Sequence, residues 1–375
     1  MKNSTKLLIV AAVISCVLTQ CTCHKPDPTP PKTYTYNSSR VVFDTNAIAF
    51  QTQTYNVADS SGTGPNDSVI TFSKGTQLMW KDSSFMFNGG WVQHAKFIVK
   101  EMYKNSDWIF SNMQTVDSGR RWMQSFGAIY IAVVDDYGDT CDVDPTVYVP
   151  SSTSWLNRAT FLLRVPATAN GAYDQHAYFG TPRMVVYNED FDSLNTLTPL
   201  TYPDYNWWTA TALQFIYPQN AGPFYYTVVM PNLLSMHHWY NLADSNAKVG
   251  STGTGLYKGQ ATGTITLQNA TSPSYEDVQI FFVADAPYKV CVIKAMKSVL
   301  NGTQYVIPNV PLNITGKIVA WNVSAGKQLY ANYKVNTDGT GSFLSVNPKT
   351  ANTTATMLYY QVTIDDLTKY IKALD

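Results

Sequence analysis

The densest run of ionisable side chains is Asp135-Asp136-Tyr137-Gly138-Asp139-Thr140-Cys141-Asp142-Val143-Asp144, with five carboxylates in ten residues. Like charges at that density repel, and a hard cation such as Ca2+, which takes roughly six to eight oxygen ligands, would relieve them. Asp135, Asp136, Asp139, Asp142 and Asp144 are therefore the candidate metal ligands, for a structural Ca2+ rather than a catalytic ion. The spacing differs from an EF-hand loop, and the competing reading is a solvated acidic turn at a strand end.

Large rings gather in two places, Tyr202-Pro203-Asp204-Tyr205-Asn206-Trp207-Trp208 and His237-His238-Trp239-Tyr240. Exposed Trp and Tyr rings stack on the apolar faces of sugars while Asp and Asn take the hydroxyls. Asp204, Tyr205, Trp207, Trp208 and Trp239 are thus the candidate ligand-binding residues. The competing reading places these rings in the core of a large sandwich.

Catalytic signatures are absent from the sequence: it has no P-loop, dinucleotide glycine motif, H-E-x-x-H or G-x-S-x-G. Only three of the 26 acidic residues are Glu (Glu101, Glu189 and Glu276), and nothing pairs them as glycoside hydrolysis would require. Asp135 or Asp136 with Asp204 is the remaining hydrolase option, so no catalytic residue is assigned and enzyme activity is the lesser reading. Adjacent histidines such as His237 and His238 would face opposite sides of a strand, which does not suit a shared metal.

The elements that must carry these residues are strands. Glu is scarce and Asp abundant, which favours turns over helices. Short runs rich in Val, Ile, Thr, Tyr and Phe are bounded by Gly, Asn, Asp and Pro: 40–43, 127–134, 159–165, 184–187 and 224–230. The expected fold is mainly β, with two β-sandwich-like domains and a short C-terminal helix over 365–374, where Leu367, Tyr370, Ile371 and Leu374 share a face. The segment 92–103 reads equally as helix or strand. Lys plus Arg equals Asp plus Glu at 26 each, leaving no net field for a nucleic-acid backbone.

The Gly-, Ser- and Thr-rich run 241–259 separates a part holding eight of the nine tryptophans from one holding only Trp321. A boundary is expected there, giving an aromatic-rich β domain over 34–249 and a β-sandwich domain over 250–375. Within the latter, Thr262-Gly263, Ile265, Asn269 and Asp285 match Thr315-Gly316, Ile318, Asn322 and Asp338 at an offset of 53, a weak repeat. The second copy, with Gly316, Gly326, Asp338-Gly339 and Phe343, resembles the carboxypeptidase-regulatory-like β-sandwich, which implies a spacer or partner module.

At the N-terminus two lysines precede Leu7–Leu18, a stretch too short to span a bilayer at about 18 Å and typical of an export signal. Val13-Ile14-Ser15-Cys16 resembles the cleavage box of bacterial lipoprotein signal peptides, in which the cysteine is lipidated. Leu18-Thr19-Gln20-Cys21 fits less closely, and Cys23 directly precedes a proline-rich tether over 24–33. Residues 1–23 are therefore read as signal and lipobox, with Cys16, Cys21 and Cys23 as alternative anchors. Cys141 and Cys291 have two readings, a disulfide or two separate buried thiols.

Together these features predict an exported, lipid-anchored protein of the cell envelope, at the outer membrane or cell surface, that binds or scaffolds. Its expected partners are the membrane through the anchor and a glycan or surface protein. In location and composition it resembles accessory lipoproteins of bacterial polysaccharide-uptake systems or surface fimbriae. Two alternatives stand beside this one. The first is an exported hydrolase with an Asp-based site. The second is a eukaryotic secreted glycoprotein, given the eight N-x-S/T sequons at Asn3, Asn37, Asn66, Asn269, Asn301, Asn313, Asn322 and Asn352.

Overall fold

Alternation of apolar and polar residues sets most of the backbone. In His94–Met102 the inward positions are Ala95, Phe97, Val99 and Glu101, all fully buried, and the segment that suited either type is a strand. The computed structural model describes residues 35–57, 68–80, 84–116, 122–143, 161–166, 183–187, 207–209, 216–218, 225–229, 238–244, 261–269, 278–285, 290–297, 304–338 and 340–375. Tyr36–Asp375 form one unit, separate from Met1–Thr35. The described residues are mainly β, with three short helices.

Four main sheets make two sandwiches. The first sheet orders its strands Gln51–Asn56, His94–Met102, Gln124–Val134, His238–Asp244, Arg183–Tyr187 and Trp207–Thr209. The second orders Ile216–Pro218, Tyr225–Val229, Phe161–Pro166, Gln77–Trp80 and Ser68–Thr71. Between them lies a core that includes Phe97, Val99, Ile129, Ile131, Leu163 and Trp80. The third sheet, Met296–Lys297, Gln304–Pro311, Thr262–Asn269 and Asn352–Met357, faces the fourth, whose path is Val292–Lys294, Gln279–Ala284, Gly316–Val323, Leu329–Ala331 and Tyr360–Gln361. Ile265 and Leu267 of one and Ile318 and Ala320 of the other share that core. The two copies of the weak repeat thus begin on strands in facing sheets.

A third apolar cluster is built from the outer faces of the first and fourth sheets and from the helices α1 (Val41–Thr45), α2 (Asn105–Phe110) and α3 (Ile364–Lys372). Helix α3 forms where the spacing predicts one. Thr363 Oγ1 accepts the Asp366 N–H at 3.1 Å, acidic residues open the helix and lysines close it, and Leu367 and Ile371 are buried. Helix α1 replaces the strand expected at 40–43. The β-branched residues there are overridden by packing: Phe43 sits edge-on to Trp321, whose indole N–H donates to the Ser39 carbonyl at 3.0 Å. The expected boundary near residue 250 lies outside the described residues, and this cluster draws side chains from both sides of it.

Backbone bonds reinforce the cluster. Thr115 N donates to Val292 O at 2.7 Å, and Ser125 N donates to Val290 O at 2.9 Å. Beside them Lys294 Nζ donates to Asn112 Oδ1 at 2.7 Å, and burial, helped by the Arg40 charge, pulls its ammonium down to about 8. Within the fourth sheet, Gly316–Val323 exchanges one partner strand for another along its length. The Asn332 side chain fills the gap, accepting from Ala320 N and donating to Ile318 O, both at 2.8 Å.

The first sandwich is pinned by Glu101. Its Oε1 accepts the Thr76 N–H at 3.0 Å, and its Oε2 accepts Lys74 N at 2.9 Å and Gln51 Nε2 at 2.7 Å. These bonds hold the turn that joins two strands of the second sheet, Ser68–Thr71 and Gln77–Trp80. Lys74 Nζ then reaches Asp107 Oδ2 at 2.8 Å, tying the turn to α2. Glu101→Gln keeps the shape but offers one acceptor oxygen in place of two, so an N–H of the turn meets a donor. It should destabilise the fold by about 3 kcal/mol in equilibrium denaturation, the scale for breaking a buried charged network, and an unchanged midpoint would contradict this role.

Candidate functional site

The inward side of the first sheet is spent on its core, so function on that sheet must lie outward. Lys100, Tyr130 and Trp239 are direct neighbours across three strands and therefore share a face. Two residues along from Tyr130, Ala128 on the same face is covered by the helix cluster together with Met102 and Ala243. The Lys100–Tyr130–Trp239 row emerges from that cover and is half-buried. Phe50, 55% exposed, stands edge-on to Tyr130 at 5.5 Å between ring centroids, and Tyr130 stands edge-on to Trp239 at 5.6 Å. Lys100 Nζ lies 4.3 Å from the Phe50 centroid, and burial lowers its ammonium from the usual range. The result is an aromatic surface on a paired sheet, bordered by a cation.

The sequence candidates fall unevenly around this surface. Trp239 is in it. Trp207 pairs through its backbone with Tyr187, Trp208 pairs with Val186, and Val186 pairs with Tyr240, which places the edge strand two positions beyond Trp239. The side chains of Trp207 and Trp208 lie outside the described residues, as do Asp204 and Tyr205. Sequence reasoning missed Phe50, Lys100 and Tyr130. A signal for Tyr130 existed: it is the one half-buried position in Gln124–Val134, and it carries a polar tip inside an apolar run.

The acidic run lies around the turn that follows the strand Gln124–Val134. Among the described residues no three His, Cys, Asp or Glu side chains converge as metal ligands. Asp135 Oδ1 accepts Tyr137 N and Asp139 N, both at 2.9 Å, so it closes a turn, while Asp136 Oδ2 meets His94 Nδ1 at 3.1 Å. Asp139 and Asp142 are exposed, and Asp144 lies outside the described residues. Backbone N–H groups take up part of the charge at Asp135, as in an Asx turn.

Cys141 and Cys291 are not joined: each is a fully buried thiol, in the first and second sandwich cores respectively. Of the sequons, Asn322 is also fully buried, so its amide is closed to modification in the folded chain. Cys16, Cys21 and Cys23 lie outside the described residues.

No family model matches the chain, and no curated protein does. Among solved structures it aligns with gamma-CGTase from alkalophilic Bacillus clarkii at 9% identity and a TM-score of 0.18. The alignment covers 78% of this chain and 41% of that enzyme, so the chain spans well under half its length. A likeness at that level assigns neither fold nor activity.

Burial, and after it the charges of Asp135, Asp142 and Asp139, push the Cys141 thiol up to about 12 from 9.0. As pH rises between those values, the unfolded chain releases a proton that the folded chain retains, so this contribution to stability is progressively lost. Cys141→Ala should therefore lose less stability than the wild type from pH 9 to 12, read from denaturation midpoints. Peptide mapping after alkylation at neutral pH should find Cys141 and Cys291 protected until denaturant is added. Labelling of the native protein would contradict their burial.

Proposed function

We propose that this chain is an exported, lipid-anchored surface protein that binds glycan on the outer aromatic face of its first sheet. The observation that carries the reading is the Phe50–Tyr130–Trp239 array, three rings in successive edge-to-face contact on the outer face of a paired sheet. Rings held in this way present apolar faces to the C–H face of a pyranose at little entropic cost, because two contacts already fix Tyr130. The charged group beside them is Lys100, not a pair of carboxylates. That supports binding over hydrolysis, which needs two acids facing each other across the sugar.

The anchor part of the proposal rests on the cysteine boxes and the tether in residues 13–33. Lipidation would hold the folded unit at a membrane while the proline-rich segment spaces it outward by roughly 3 Å per residue.

A glycan array with parallel product analysis tests the binding role. The wild type should retain a polysaccharide without releasing shorter products, and Phe50→Ala and Trp239→Ala should each weaken retention about tenfold, the loss of one interface anchor. Retention unchanged in both variants, or turnover of the bound glycan, would overturn it. For the anchor, intact mass of the mature protein should show a diacylglyceryl or triacyl addition on an N-terminal Cys16, Cys21 or Cys23. An unmodified later start would remove that part of the proposal.

A further inference from the structure

A second surface, with different chemistry, lies on a small three-stranded sheet made of Gly90–Trp91, Phe85–Phe87 and Asp142–Val143. Alternation fixes its two faces. Phe85 and Val143 pair and both enter the first core, with Phe87 packed against it. Met86 therefore faces outward, with Trp91 opposite it on one neighbour and Asp142 on the other. Trp91 and Asp142 thus share a face across two strand spacings, about 10 Å. The hairpin is closed by Asn88-Gly89 at φ values of 47 and 79, the two-residue turn whose twist suits paired strands, so the face is well defined.

Trp91 is 66% exposed even though Val92 beside it is buried. Three residues on, His94 bonds Asp136 in the Asp135–Asp139 turn that leads into Asp142–Val143, and Tyr137 of that turn is 91% exposed. Exposed carboxylates accompany the rings: Asp136, Asp139 and Asp142. Among the described residues the nearby bases are His94, already on Asp136, and Lys96, exposed on the adjoining strand. Behind this face, burial and then the charges of Asp135, Asp142 and Asp139 disfavour the Cys141 thiolate.

We infer that this face docks a lysine-bearing segment of a partner protein, with Trp91 and Tyr137 taking the alkyl stem and ammonium and Asp136, Asp139 and Asp142 offsetting the charge. Charge complementarity selects this occupant. A neutral sugar would engage the carboxylates only as hydroxyl acceptors and leave their charge unmatched, whereas a cation gains from both the rings and the acids. Large rings within a charged rim are also the composition of protein interface anchors. The surface is separate from the aromatic face of the first sheet, which carries a lysine and would repel the same segment.

The test uses the full chain and a labelled oligolysine peptide, with oligoglutamate and Gly-Ser peptides of equal length as controls. Oligolysine should bind and weaken with added salt, while both controls fail to bind. Trp91→Ala should weaken oligolysine binding about tenfold, in line with loss of a desolvated cation–ring contact, and Asp142→Asn should weaken it several-fold. Trp239→Ala should leave it unchanged. Both altered side chains of the docking face are exposed, and an unchanged thermal transition will confirm that the variants fold. Absence of oligolysine binding, equal binding by Trp91→Ala, or equal binding of the neutral peptide would each overturn the inference. Capture of amino-sugar oligomers in place of oligolysine would overturn it in favour of a cationic glycan.

Discussion

A carboxylate in an apolar interior is tolerable only when its lone pairs are taken up, and Glu101 meets that condition by organising the chain around it. It occupies an inward strand position where Ala95, Phe97 and Val99 set an apolar pattern. Its donors are the Thr76 and Lys74 amides and the Gln51 side chain, from two separate segments. One side chain therefore fixes the edge strand of the first sheet, the turn of the second, and, through Lys74 and Asp107, the start of α2. An apolar residue there would pack, but it would leave those amides unpaired. The network ties segments of both sheets and of α2 to one side chain.

From that point the position of the aromatic face follows. Helix α2 begins three residues after the strand carrying Glu101, and it folds back over the near end of the first sheet, covering Met102. Tyr103, between them, turns into the first core, where it needs the space that Gly127 leaves; a Cβ on Gly127 would lie 2.2 Å from the Tyr103 ring. Gly127 adopts φ of 148° at the point where the pairing with His238–Asp244 shifts register, a bulge that moves Phe126 into the core. The helix layer is thus held to one end of the sheet. Toward the limit of that layer Trp239 packs against its edge and Tyr130 is half-buried.

Strand type was legible wherever the chain alternates or runs apolar between turn residues, as at 127–134 and 184–187, because period and propensity agree there. Helix α3 was legible from Leu367 and Ile371 with an Asp-rich start. Helix α1 was not. Its stability comes from Trp321, some 280 residues away in sequence, and no local pattern encodes that contact. The acidic run was visible as a cluster, but the use its own turn makes of it was not: Asp135 Oδ1 accepts two backbone N–H groups of that turn. Of the site, Trp239 was visible as a ring in a group. Phe50 and Lys100 were invisible because neither is unusual in sequence, and only the pairing of three strands brings them beside Tyr130.

The two exposed aromatic surfaces differ in the sign of the charge beside them, and that difference bears on what each can hold. Beside Phe50 the ammonium of Lys100 is already engaged with the ring face and partly desolvated. Such a cation is unfavourable to a second cation, whereas a neutral sugar, which brings no charge to be satisfied, suits the remaining ring surface. Around Trp91 the charges are carboxylates held in water at exposed positions. Their attraction for a cation is screened at long range but strengthens once a ring excludes water from the contact. A charged partner would therefore be drawn to the three-stranded sheet by field and held by Trp91, while a ligand of the proposed face on the first sheet would be held by shape and apolar contact.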